Sequence, residues 1–208
     1  MVSAYLYVEG GGSGADSKEL DIRCREGFRK LLEKCGFGQQ RRMPRLFACG
    51  GRAAVFDDFV TAHANNRAGA YVAMWLDSEE PMENVEEAWK HLQNVQSVPQ
   101  WAQPEGAIDD QVLFMTTCME TWIVADRLTL KEHYGSKLQE SGLPSLVDLE
   151  RRLRHDVQEK LVRATRVCSN AYAKGKRSFE LLGKLTPATL EKHLPSFVRV
   201  RRILSERL

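Results

Sequence analysis

The run AYVAMWLD, Ala70–Asp77, decides how this chain is read. It is apolar without interruption and closes on a carboxylate. Such a run suits a strand covered on both faces of a sheet. Two further short strands precede it. AYLYV, Ala4–Val8, is β-rich and stops at Glu9 and glycine, and RLFACGG, Arg45–Gly51, ends in two glycines. Helical patterns separate the three. In SKELDIRCREGFRKLLEKCGFG, the residues Leu20, Cys24, Phe28, Leu31, Leu32 and Cys35 recur at helical spacing and Gly36 stops the run. RAAVFDDFVTAHAN places Val55, Phe59 and Ala62 on one face of a second helix. The order βαβαβ predicts right-handed crossovers and a parallel sheet, so the expected class is α/β.

After Asp77 the pattern changes. ENVEEAWKHLQ reads as a short helix, and NVQSVPQWAQPEGAI as a loop. Asp109 stands as an N-cap for DQVLFMTTCMETWIVADRLTLKEHYG, which predicts a helix. That helix is apolar nearly all round and would be buried. Met115, Met119, Trp122 and Asp126 share one of its faces; Leu113, Glu120 and Val124 share another. Glu120 and Asp126 would then need partners, because a buried unpaired charge is costly. Either they join Asp109 or Asp110 in an acidic site, or they pair with arginines such as Arg127. The remainder reads as helices. The expected division is an α/β domain over 1–107 and a mainly helical extension over 108–208.

Composition narrows the class. The chain has 208 residues, 43% of them hydrophobic and 28% charged, which suits a folded globular domain. No apolar run approaches membrane-spanning length, and no signal-peptide pattern is visible, so no membrane role is expected. The five cysteines have no CxxC spacing, which argues against a zinc site or disulfide framework and for a reducing cytoplasm. The five histidines are scattered and earn no role. Cys49 lies before the second pair of glycines, without an inferable histidine partner for thiol catalysis. The net charge of +2 hides a net −6 over residues 1–127 and +8 over 128–208. An acidic first part suits metal ligands and a basic second part suits a polyanion such as DNA or RNA; two solvated helical faces would show the same asymmetry.

Glu9 and Asp77 each follow a predicted strand. In a parallel sheet all strand C-termini share one edge, where ligands bind. If DSE continues extended, Asp77 and Glu79 point the same way. Three convergent carboxylates would make a hard-oxygen site suited to Mg²⁺. Alternatively, each acid forms a turn or caps a helix. The stretch EGGGSG matches neither GxGxxG nor GxxxxGK[ST]. Gly10 and Gly11 could let a phosphate or metal approach the backbone, or form a loose connection. Arg41, Arg42, Arg45 and Arg52 flank the second strand, and Arg52 could hold a phosphate or pair with an edge carboxylate. Lys174, Lys176 and Arg177 in AKGKRSF form a basic turn that could touch a nucleic-acid backbone or simply be solvated.

A strand ending in VEG, a βα unit, then a strand ending in Asp-x-acid resembles the Toprim domain of topoisomerases, primases, overcoming-lysogenization-defect nucleases and small recombination and RNA-maturation proteins. The resemblance implies a Mg²⁺- or Mn²⁺-dependent phosphodiester chemistry. Glu9 would match the family glutamate, a general acid/base or metal ligand. Asp77 and Glu79 would match its metal-binding Asp-x-Asp, with Glu in place of the second Asp. A closer resemblance covers nearly the whole chain: YVEGGG.SKEL, RMPR, ACGGR, LDSEEP, DDQVLFMTTCMETWIVAD and KG..SFELL look like a bacterial family of unknown function. Its members are similar to Toprim proteins and are often encoded beside an ATPase in suspected anti-phage or mobile-element loci. Two functions are implied. One is a Mg²⁺-dependent nuclease on DNA or RNA, the effector of an anti-phage system with an ATPase partner. The other is a non-catalytic subunit that regulates that ATPase. Homo-oligomerisation is left open by the sequence.

Overall fold

The computed structural model describes residues 4–12, 17–39, 42–66 and 69–208. Arg41 lies outside them. The chain folds as an α/β protein with a four-stranded, all-parallel sheet flanked by helices. The strands are β1 (Ala4–Val8), β2 (Arg45–Ala48), β3 (Tyr71–Asp77) and β4 (Val112–Met115), in the order β2-β1-β3-β4. Register sets Val8 beside Trp75 and Asp77 beside Met115. Helices α1 (Ser17–Lys34) and α2 (Arg52–Ala64) form the first two crossovers, and α3 (Ala88–Asn94) lies in the third.

The burial pattern explains the strands. β3 is central and buried at every residue, as its unbroken apolar run requires. β1 alternates: Ala4, Leu6 and Val8 are buried, while Tyr5 and Tyr7 are half-covered. One face of the sheet packs Leu6, Val8 and Trp75 against Phe28 and Leu31 of α1 and a large C-terminal cluster around Trp122 and Phe197. The other packs Val72, Met74, Leu76 and Phe114 against Val55 and Phe59 of α2 and Trp89 of α3.

The segment expected to be one helix from Asp109 is different. Asp109–Gln111 is a single 3-10 turn, VLFM is β4, and the helix begins only at α4 (Met119–Ala125), followed by α5 (Arg127–Tyr134). Periodicity cannot separate a buried strand from a buried helix within a continuous apolar run. Here the free edge of β3 decides, because its backbone groups need partners. The sheet therefore takes its fourth strand from beyond residue 107. Asp109 is no N-cap: its carboxylate accepts the Trp89 backbone N–H at 2.8 Å.

The rest is helical, with α6 (Arg154–Thr165), α7 (Lys176–Leu182), α8 (Pro187–His193) and α9 (Pro195–Arg207). α9 packs on β4, where buried Arg199 donates to the Val112 and Asp109 carbonyls, both at 2.7 Å. Among the described residues no helix is long and apolar enough to cross a membrane. All five cysteines are free.

Candidate metal centre

β1 and β3 are neighbours and run the same way, so their last residues emerge side by side. The Glu9 N–H extends the ladder by one bond to the Trp75 carbonyl, 2.7 Å. Its carboxylate then folds back and accepts the Asp77 N–H at 3.1 Å. Asp77 is 8% exposed, and one of its oxygens accepts the Met119 N–H at 2.9 Å. Glu79 joins them by a route other than strand alternation. The strand stops at Asp77, and Glu79 sits at φ 69°, a left-handed conformation that non-glycine residues seldom adopt. Its N–H donates to the Thr117 carbonyl at 3.0 Å, which pins the turn. One carboxylate oxygen from each of Glu9, Asp77 and Glu79 lies within 4.8 Å of the others.

Crowding these acids has an electrostatic consequence. Burial, then the neighbouring Glu9 and Glu120 charges, push the Asp77 carboxyl well above its ordinary range against the pull of Arg154 and Lys174. Burial also raises Glu9, against the Asp77 N–H, Arg52, Arg154 and Lys174. Three crowded carboxylates supply the hard oxygen ligands that a divalent cation prefers. The donor set therefore fits Mg²⁺ or Mn²⁺, with one obstacle. The guanidinium of Arg154, at the start of α6, forms an ion pair with Glu79 and lies 3.9 Å from Asp77.

Arg52 also reaches the cluster, but through the backbone. It donates to the Asp77 carbonyl at 2.8 Å and lies over the Trp101 ring, 4.5 Å from its centroid. Its Nε and Nη2 are buried without a hydrogen-bond partner among the described residues. No salt bridge to a carboxylate is formed among the described residues; Arg52 fixes the main chain at Asp77 while adding positive charge beside Glu9 and Asp77.

Gly10 and Gly11 are explained by packing. Gly10 exchanges two backbone hydrogen bonds with Gly50, at 2.8 and 2.9 Å, joining the ends of β1 and β2. At φ 131° an added Cβ would stand 2.8 Å from the Phe179 ring, and at Gly11 it would meet the Asp21 carboxylate at 2.2 Å. The Gly12 N–H is taken by Asp21 at 3.1 Å. The N–H groups of Gly10 and Gly12 are therefore already bonded, and residues 10–12 form a close-packed turn.

The acids of the second segment separate by role. Glu120 is buried and satisfied: Tyr172 donates to it at 2.7 Å, Gln158 at 3.1 Å, and Lys174 lies 3.9 Å away. Asp126 caps α5, accepting from the Thr129 N–H and hydroxyl at 3.1 and 2.8 Å, and also takes the Thr186 N–H at 2.8 Å. Arg127 pairs with the Pro144 carbonyl instead of either acid. Asp110 pairs with Arg207 at 3.0 Å. Of the basic turn, Lys174 stands beside the site, Lys176 pairs with Glu19 at 2.8 Å, and Arg177 binds the Ala171 carbonyl. The Cys49 thiol is pushed up to about 12 by burial and Asp58, which withdraws it from thiolate chemistry at neutral pH.

Sequence reasoning missed Arg154. It falls in ERRLRHD, where several basic residues stand together and nothing marks this one; only the packing of α6 against α4 carries it to the sheet edge. No family model, curated protein or solved structure matches the chain.

Proposed function

We propose that this chain is a Mg²⁺- or Mn²⁺-dependent nuclease of the Toprim type, cleaving phosphodiester bonds in nucleic acid. The observation that carries the reading is the convergence of Glu9, Asp77 and Glu79 within 4.8 Å at the C-terminal edge of a parallel sheet. These three acids would hold the cation. Bound there, it would polarise a phosphoryl oxygen and stabilise charge on the attacking or leaving oxygen. Asp77 is oriented by the Met119 N–H, and Arg52 steadies the same residue from the carbonyl side. Glu9, whose carboxyl burial raises, would either share in holding the cation or exchange a proton with the leaving or attacking oxygen. The five free thiols are in keeping with a reducing cytoplasm.

The test is cleavage of plasmid, single-stranded DNA and a tRNA pool with Mg²⁺ or Mn²⁺. Glu9→Gln and Asp77→Asn should each abolish metal-dependent cleavage while leaving the thermal unfolding midpoint measurable and cooperative. Full activity in both variants would sink the assignment.

A second reading rests on Arg154. An arginine that already neutralises Glu79 and approaches Asp77 is also what a non-catalytic subunit would retain, one serving an ATPase partner in a defence system. Calorimetric titration separates the two: Mn²⁺ binding that Asp77→Asn removes supports the nuclease, and no binding supports the interaction subunit.

A further inference from the structure

A groove of about 560 Å³ opens between α6 and the segment around Tyr172, with Glu120 in its lining. α6 and its C-terminal end line it with Gln158, Val162 and Arg166. Arg154, Gln158, Val162 and Arg166 follow one another at four-residue steps, so they lie on one face. Arg154 meets Glu79 and Asp77, and Gln158 donates to Glu120 at 3.1 Å. Val162 is 48% exposed, and Arg166 stands at the far end. Twelve residues of helix carry this stripe about 18 Å away from the acids. Lys174, Arg163 and Arg166 line the groove together with Val162 and Tyr172. Arg163 and Arg166 are exposed and make no ion pair among the described residues. Glu159 is the one acid on the rim, since Glu120 is spent on Tyr172, Gln158 and Lys174.

We propose that this groove is the track for a single, unpaired nucleic-acid strand, delivering its phosphate to the Glu9–Asp77–Glu79 cluster. The proposal rests on the nuclease reading for its direction, and on the groove's own chemistry for its occupant. The exposed Arg163 and Arg166 guanidiniums, with Lys174 beside Glu120, supply positive charge that matches a strand's phosphates. The apolar part of the lining, Val162 and Tyr172, matches exposed base faces, which a duplex keeps stacked inside. Gln158 in the groove lining stands one helical turn from Arg154, the partner of Glu79, so this end of the groove lies toward the cluster.

The test is fluorescence anisotropy in EDTA, where cleavage is suspended, with labelled oligothymidylate and oligouridylate of about a dozen nucleotides and a hairpin duplex. Arg163→Ala/Arg166→Ala should weaken both single strands at least about tenfold. It should also reduce the slope of log affinity against log salt by about 1.4, since each phosphate contact in a single strand contributes roughly 0.7. Both residues are exposed, so the fold should survive, and an unchanged unfolding midpoint checks it. A control pair on α1, Arg25→Ala/Arg29→Ala, should leave binding unaltered. The track is overturned if the groove variant binds like the wild type, if the control pair loses as much, or if the hairpin binds as tightly as the single strands. Wild-type cleavage with unchanged binding in the groove variant would remove the track and leave the nuclease standing. Groove-dependent binding without cleavage would do the reverse.

Discussion

Removing Arg154 should make the stability of this protein depend on divalent metal. Its guanidinium pairs with Glu79 and stands 3.9 Å from Asp77, and its own side chain is 29% exposed. Deleting one partner of a fully buried ion pair costs about 3–5 kcal/mol, because the other charge is left uncompensated. Partial exposure lets water and salt screen part of that, so we expect about 2 kcal/mol for Arg154→Ala. For a chain of this length that is a fall of about 4–8 °C in unfolding midpoint. Divalent metal supplies the missing charge, and at a hundredfold excess over its dissociation constant it returns about 2.7 kcal/mol. In the wild type the cation must first displace the arginine, so its effect on the midpoint should be smaller. The assay is thermal unfolding of both proteins in EDTA and across a Mn²⁺ titration. If Arg154→Ala matches the wild type in EDTA and responds equally to Mn²⁺, then Arg154 does not neutralise the cluster and the charge argument fails.

Two further outcomes test other parts of the structure. Burial raises the Glu150 carboxyl to about 7, partly opposed by hydrogen bonds from the Ser196 hydroxyl and N–H. A carboxyl that holds its proton more tightly when folded favours the native state in acid; that contribution is lost as pH rises from the ordinary value of 4.5 to about 7. The loss is about 3 kcal/mol, and Glu150→Gln should flatten the fall in stability between acid and neutral pH measured by urea unfolding; a wild-type slope kept by the variant would refute the assignment. Gly10→Ala adds a clash with Phe179 to an unfavourable φ, whereas Gly36→Ala, at φ 93° with nothing within 4 Å, adds strain alone. We expect about 1 kcal/mol at Gly36 and about 2–4 kcal/mol at Gly10, with equal losses counting against the packing account.

What could be read from residues alone follows their local character. β1, β2 and β3 were legible because each is a short apolar run stopped by glycine or an acid. β4 was not, because VLFM is embedded in a longer apolar stretch whose partner is the edge of β3, nearly forty residues earlier in the chain. Glu9 and Asp77 were legible as carboxylates at the ends of two strands of one parallel sheet; that these strands are neighbours was not. Glu79 was anticipated for a different reason from the one that holds: a left-handed turn, not continued pleating, brings it in. Arg154 and the groove of α6 were hidden, since helix-to-sheet packing, not spacing, assembles them. That Phe179 and Asp21 fill the space beside Gly10 and Gly11 was not legible, because those contacts come from packing and, for Phe179, from a distant part of the chain.

The bond from Arg199 to the Val112 carbonyl has a meaning in time. A ribosome reaches Arg199 some eighty residues after finishing β4, a delay of roughly 4–17 s at ordinary elongation rates. Through that interval the outer border of the sheet lacks its cover and the acids at its tip lack Arg154 for about half as long. A growing chain thus passes through a stage with crowded carboxylates and a bare strand, and only the last helix closes it.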